Sequence, residues 1–326
     1  MLVFFRSRRT AIFGLYIVLT IVYAISFGRA FIDAFVYPDW MIAPIMAFGS
    51  FVAGSTFLGG GAVAFPALTK LFSVDPVTAK SFSLAIQAVG MTSASLYIIS
   101  RVRNLPYSFI ALYLAGACVG LLVSFALIEA YVPAVDLRIA FTLFLVCILV
   151  VYLFTRHSHN VSTETHLENT FRDILVTLLG GVLGGLIAGL LGSGADLVGF
   201  CLLALYFRIE IIRATQISVI LMAASSIVGV GLKWVFFGGV GQQVFDLWIL
   251  AAPVVLFGAP FGAALCRRIP GNLLLGFICI IVTTEVITTI LLVPLDHTRL
   301  SIYGFAVLAS LLVLLLVGYL ATHKHD

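Results

Sequence analysis

The stretch Gly54-Ser-Thr-Phe-Leu-Gly59-Gly60-Gly61-Ala-Val-Ala-Phe-Pro66 breaks a long apolar run with four glycines and a proline. A second version, Gly189-Leu-Leu-Gly192-Ser193-Gly194-Ala-Asp196, lies in the other half of the chain. Gly49 and Gly184, Gly54 and Gly189, and Gly59 and Gly194 each stand 135 positions apart. A lipid-facing backbone cannot leave its polar groups unpaired, so such interruptions must be buried in protein or line a cavity. Interruptions at corresponding places in two apolar halves are the sequence pointer to a central solute site.

Working outward, the 326-residue chain is 62% hydrophobic and 10% charged, against roughly 25% charged residues in soluble domains. With a mean hydropathy of +1.19, it reads as an all-α, polytopic transmembrane bundle. Apolar runs long enough to span recur at 11–32, 81–100, 107–128, 139–155, 214–236, 247–266, 271–294 and 301–321. The stretches 41–73 and 173–207 hold the glycine breaks and are too long for one straight span of about 20 residues. The expectation is about ten membrane segments, two of them glycine-broken or re-entrant, with an internal two-fold repeat.

The formal net charge is +4, which gives no footprint for nucleic acid. Arg6, Arg8 and Arg9 precede the first span and place the N-terminus in the cytoplasm by the positive-inside rule. An even number of crossings brings the C-terminal tail to the same side. The middle of the chain is silent on topology: single-crossing and double-crossing versions of the broken stretches leave nearly equal basic counts inside. Parallel and inverted repeats therefore both remain open. The five cysteines lie in apolar runs without C-x-x-C spacing and read as small core residues. No cofactor or metal motif is read, and the oligomeric state is left open.

The chain divides into an N-terminal transmembrane helix (1–40), a first repeat (41–155), a polar linker (156–173), a second repeat (174–294) and a C-terminal helix with a short tail (295–326). Matching continues past the glycines. Asp75 to Ser83 falls on Glu210 to Ser218, Gly116 and Gly120 on Gly258 and Gly262, and Pro133 on Pro270. His157, His159 and His166 lie in the linker and read as loop residues.

Glycine admits positive φ and close approach of the backbone to a ligand. Successive amides at a helix start make an anion nest. Gly59, Gly60 and Gly61 are therefore candidate substrate-binding residues, with Gly192, Ser193 and Gly194 as a second nest. Small residues also serve close helix packing, a reading that suits the Gly181, Gly185 and Gly189 spacing. Ser83, Gln87, Gln216 and Ser218 put hydroxyls and amides on the helix after each break and can hold an oxyanion without a buried charge. Asp196, a carboxylate inside an apolar segment, is costly there and marks a functional candidate. It can cap amides, carry a coupling proton or bind a cation. Glu285, mid-span among threonines, is a second coupling candidate, with Lys233 as its expected ion-pair partner.

At these residues the chain resembles the TauE/SafE family of sulfite and organosulfonate exporters. The resemblance rests on Gly54, Gly59 to Gly61 and Pro66, then Asp75-Pro76-x-x-Ala79, then Gly189-Leu-Leu-Gly192, Arg213-Ala214-Thr215 and Gly258-x-x-Phe261-Gly262 before Arg267-Arg268. It implies a multi-pass carrier of the bacterial inner membrane for small sulfur-containing anions, with the lipid bilayer and that solute as partners. Asp196 stands outside the signature. Export by alternating access leads; uptake of another small organic anion and an anion channel are the alternatives. A membrane enzyme is disfavoured. A serine mechanism needs a base within reach, but the histidines lie in loops and tails, and Ala195 breaks the order of an aspartyl protease. Gly60→Val is expected to abolish transport into proteoliposomes while membrane insertion persists; normal transport by that variant would exclude a nest at Gly60.

Overall fold

A computed structural model describes residues 2–35, 38–56, 58–102, 104–156, 170–266, 268 and 271–292. The linker histidines, Arg267, Pro270 and the expected C-terminal helix lie outside the described residues. The elements are α1 (Leu2–Phe35), α2 (Ile42–Ser55), α3 (Gly61–Pro66), α4 (Pro76–Arg101), α5 (Tyr107–Val123), α6 (Ala134–Arg156), α7 (Phe171–Leu191), α8 (Ala195–Cys201), α9 (Ile211–Phe236), α10 (Gln242–Leu265) and α11 (Gly271–Leu292). Among the described residues seven helices are long and apolar enough to cross a membrane. Three shorter apolar helices, Ile42–Ser55, Gly61–Leu71 and Ala195–Tyr206, belong to the two broken stretches.

Each break has a physical cause in its residues. The helix α7 ends on Gly192, whose left-handed φ of +75° lets its N–H return to the Ala188 carbonyl at 2.8 Å, a glycine C-cap. The helix α2 ends differently: both the N–H and the hydroxyl of Thr56 donate to Val52 O at 2.9 Å. The hydroxyl of Thr56 in turn accepts from Leu58 N at 3.2 Å, and Gly59 then turns the chain with φ +67°.

The same local geometry recurs 135 residues on. A π-helical turn extends α3 over Ala67–Leu71 and α8 over Leu202–Tyr206. After each, a non-glycine residue takes a left-handed conformation, Ser73 at φ +52° and Arg208 at φ +51°. Phe72 and Val74 donate to Ala67 and Leu68, as Phe207 and Ile209 donate to Leu202 and Leu203. Cys201 holds the place of Pro66 in the second stretch, so the π turn does not depend on proline. The next helix starts after Asp75 and after Glu210, and Asp75 caps it with Oδ2 accepting from Val77 N at 2.9 Å. Pro76 at the first position loses no helical bond there.

Packing is crosswise. The helix α5 of the first half lies on α7 of the second, and α10 of the second lies on α2 of the first. Both contacts are glycine-made. A side chain on Gly116, Gly120, Gly181 or Gly185 would strike the backbone of the facing helix, and so would one on Gly54 or Gly262. Around this core α1 is largely outward-facing and is held by its tyrosines, Tyr16 donating to Ser93 O and Tyr23 to Ile249 O. The helix α11 packs on α6 at another edge.

Gly120→Leu is expected to separate α5 from α7 and to remove the monodisperse peak in size-exclusion chromatography. Gly231→Ala, in open space on α9, is expected to keep that peak and to raise thermal stability by up to about 1 kcal/mol through the better helix former.

Candidate functional site

The two breaks meet inside the bundle, and α4 runs beside both. Gln87 makes the tie. Its Nε2 donates to Ser83 Oγ at 2.6 Å on its own helix and to the Gly192 carbonyl at 2.9 Å across the halves. The Gly192 carbonyl can only accept, so the orientation of the amide is fixed by its partner. The three glycines of the first break are each faced by a different group. The Asp196 carboxylate lies against Gly59, the Gln87 side chain against Gly60, and the Ser193 and Ser83 hydroxyls against Gly61. Gly192 receives the backbone of Lys80, while Gly194, at φ +132°, is packed by Ile187 and Phe144.

Asp196 is 2% exposed. The backbone N–H groups of Leu197, Asp196 and Gly194 lie near its carboxylate, at the start of α8. Tyr113 fixes that start from the other side by donating to Ala195 O at 2.6 Å. Three buried oxygens at the crossing, Asp196 Oδ1, Gln87 Oε1 and Ser193 Oγ, lack a hydrogen-bond partner among the described residues. A native fold seldom leaves such groups unmet without a functional reason. Beside them is a cavity of ≈ 10 Å³ bordered by Ala53, Gly60, Gln87, Gly90 and Val255, room for about one water. The conformation is therefore closed at the crossing.

The other expected residues are distributed differently. Gly54 and Gly189 serve helix packing, against Ala259 and Ser124 respectively. Gln216 is buried on α9, and the Ser218 hydroxyl donates to Thr215 O at 2.9 Å; the hydrogen bonds joining the breaks do not include them. Pro66 borders a separate apolar cavity of ≈ 360 Å³ between α3 and α11. Glu285 also borders that cavity, and its expected pairing with Lys233 is corrected. Glu285 Oε2 lies 2.7 Å from Lys70 Nζ, which also donates to Thr288 and Thr289 hydroxyls at 2.7 and 2.9 Å. Thr142 donates to Glu285 Oε1 at 3.0 Å. The π turn after Pro66 presents Lys70 to α11, and a carboxylate so fully paired is committed to holding α3, α6 and α11 together. Lys233 instead approaches Glu129 Oε1 at 3.3 Å.

Sequence reasoning passed over Lys80 and Tyr113. Lys80 stands at i, i+3 and i+7 spacing with Ser83 and Gln87, so its place on the site-facing side of α4 was readable from helical periodicity. Tyr113 carried no such signal, because its acceptor is a backbone carbonyl 82 residues away.

Gln87→Leu strands the Gly192 carbonyl. An unmet buried acceptor costs about 1–3 kcal/mol, so the variant is expected to melt at lower temperature than the wild type in detergent. Gln87→Glu, which cannot donate when ionised, is expected to be no better.

A family model described as sulfite exporter TauE/SafE matches residues 41–292, which takes in both breaks, the crossing and every described helix except α1. No curated protein and no solved structure matches the chain. With a match over most of its length, the chain belongs to the sulfite exporter TauE/SafE family of membrane transporters.

Proposed function

We propose that the chain carries a sulfite- or organosulfonate-class anion out across the bacterial inner membrane by alternating access, with the substrate held where the two glycine breaks meet. The halves are read as copies of one unit that move against each other. The short helices of the broken stretches, with 139–155 and 301–321, supply the membrane segments beyond the seven long spans, and both termini are cytoplasmic. The observation that carries this reading is the Asp196 carboxylate lying against Gly59. The turn of one half already has a carboxylate supplied by the other beside its backbone, which supports a site for an anion there.

Asp196 then acts as an internal competitor. Ionised, it caps its own helix amides and fills the Gly59 turn. Neutralised by a proton, it gives up its claim on those groups and an oxyanion replaces it. Oδ1 has no partner among the described residues, so the proton finds an unoccupied oxygen. Of the two coupling candidates Asp196 is preferred, because Glu285 is held by Lys70 and Thr142.

Counterflow of labelled sulfite and of a sulfonate in proteoliposomes tests the substrate class; saturable counterflow supports a carrier, and a linear, unsaturable flux supports a channel. The pH arm uses the sulfonate, whose charge is constant through neutrality. Wild-type counterflow is expected to rise as pH falls, and Asp196→Asn, fixed in the neutral form, to be flat. An unchanged pH profile in that variant removes Asp196 from coupling.

A further inference from the structure

A second charged cluster lies about two helical turns along α4 from Gln87 at the crossing. Lys80, on α4, is 0% exposed, and its Nζ is 3.0 Å from Glu129 Oε1. Lys233, in the last turn of α9, reaches the same oxygen at 3.3 Å, donates to Ser81 Oγ at 2.9 Å and lies over the Phe125 ring at 5.0 Å. Two ammonium groups thus share a single carboxylate oxygen. Lys80 Nζ is fully buried with Glu129 as its ion-pair partner and no further hydrogen-bond partner among the described residues. The other carboxylate that acts on Lys80 is Asp75, which sits at the exposed helix cap and spends Oδ2 on Val77 N. The cluster holds more positive charge than it balances.

Glu129 is the movable member. It stands on a short 3-10 turn, Glu129–Tyr131, beyond the π end of α5, and at 20% exposed it is the most exposed of the three. Lys80 faces inward. By the helical rise of 1.5 Å per residue, Ser83 and Gln87 lie about 5 and 10 Å deeper along α4, and the Lys80 backbone already touches Gly192.

We propose that Lys80, Lys233 and Ser81 form a vestibular binding site for a small oxyanion, closed in this conformation by the Glu129 carboxylate, which the incoming anion displaces before it passes to the breaks. A tetrahedral or pyramidal oxyanion offers three or more oxygens. It can meet both ammonium groups and the Ser81 hydroxyl, where Glu129 presents one oxygen to two cations. This inference rests on the crossing being the transport site.

The test measures sulfite binding to the purified full-length protein by its effect on thermal unfolding, with chloride at equal ionic strength as control. Glu129→Gln removes the internal competitor. It is expected to unfold at lower temperature without sulfite, to recover on its addition, and to half-saturate at a concentration lower by about five-fold or more, the range of a modest coupling between sites. Lys233→Met is expected to raise the half-saturating concentration several-fold. An unchanged or weakened sulfite response in Glu129→Gln overturns the proposal, and so does an unchanged response in Lys233→Met. Wild-type counterflow run in parallel separates the two claims. Sulfite counterflow with an unaltered Glu129→Gln response removes the vestibule alone, whereas absence of wild-type counterflow removes the reading on which it rests.

Discussion

The carbonyl of Gly192 is the acceptor through which the two halves are joined at their interrupted backbones. Where a membrane helix stops inside the protein, its last carbonyls and the next amides lose their partners, and lipid offers none. Here the freed groups are met by side chains and by glycine geometry. Gln87 reaches across to Gly192 O, Thr56 returns to Val52 O, and the Asp196 carboxylate lies beside the first amides of its own helix. Several of these partners are single side chains, which can rotate away in a manner a helical ladder cannot. The breaks are thus a polar part of the bundle held in large measure by side chains.

Crosswise packing gives those breaks a rigid surround. Each half lends a helix, α5 or α10, to the first helix of the other, and the glycines at the contact bring backbone against backbone. Association of helices in lipid depends on such close packing more than on apolar burial. An exchange of this kind makes α5 and α7 one packed pair and α2 and α10 another, each drawn from both halves.

The sequence carried the broken stretches and the pairing of their glycines, because a glycine or a capping aspartate leaves a local signature. It carried the membrane class for the same reason, since composition needs no partner. Charge pairing was not legible. Lys70 meets Glu285 across 215 positions and Lys233 meets Glu129 across 104, distances at which no periodicity links two residues. The expectation that Lys233 would find Glu285 followed only from both lying in apolar helices of the second half. The expected symmetry of the polar residues also has a limit in the register. Shifted by 135, Gln87 falls on Met222 and Gln216 on Ser81, so the amide that ties the breaks has no counterpart.

The asymmetry has a chemical meaning. Asp196 in the breaks and Glu129 at the mouth are both carboxylates held against groups that suit an anion, and neither is neutralised by a one-to-one partner as Glu285 is by Lys70. A site that binds an anion in a low-dielectric interior is costly to leave empty, because buried donors and ammonium groups must find some partner. In the cycle proposed above, a carboxylate tethered to the protein solves this at each station: it satisfies the site in the unloaded state and is released when the solute arrives or its own charge is removed. On that reading the chain lays an internal anion at two successive points along α4, about two turns apart, an arrangement that favours passage over tight retention at either point.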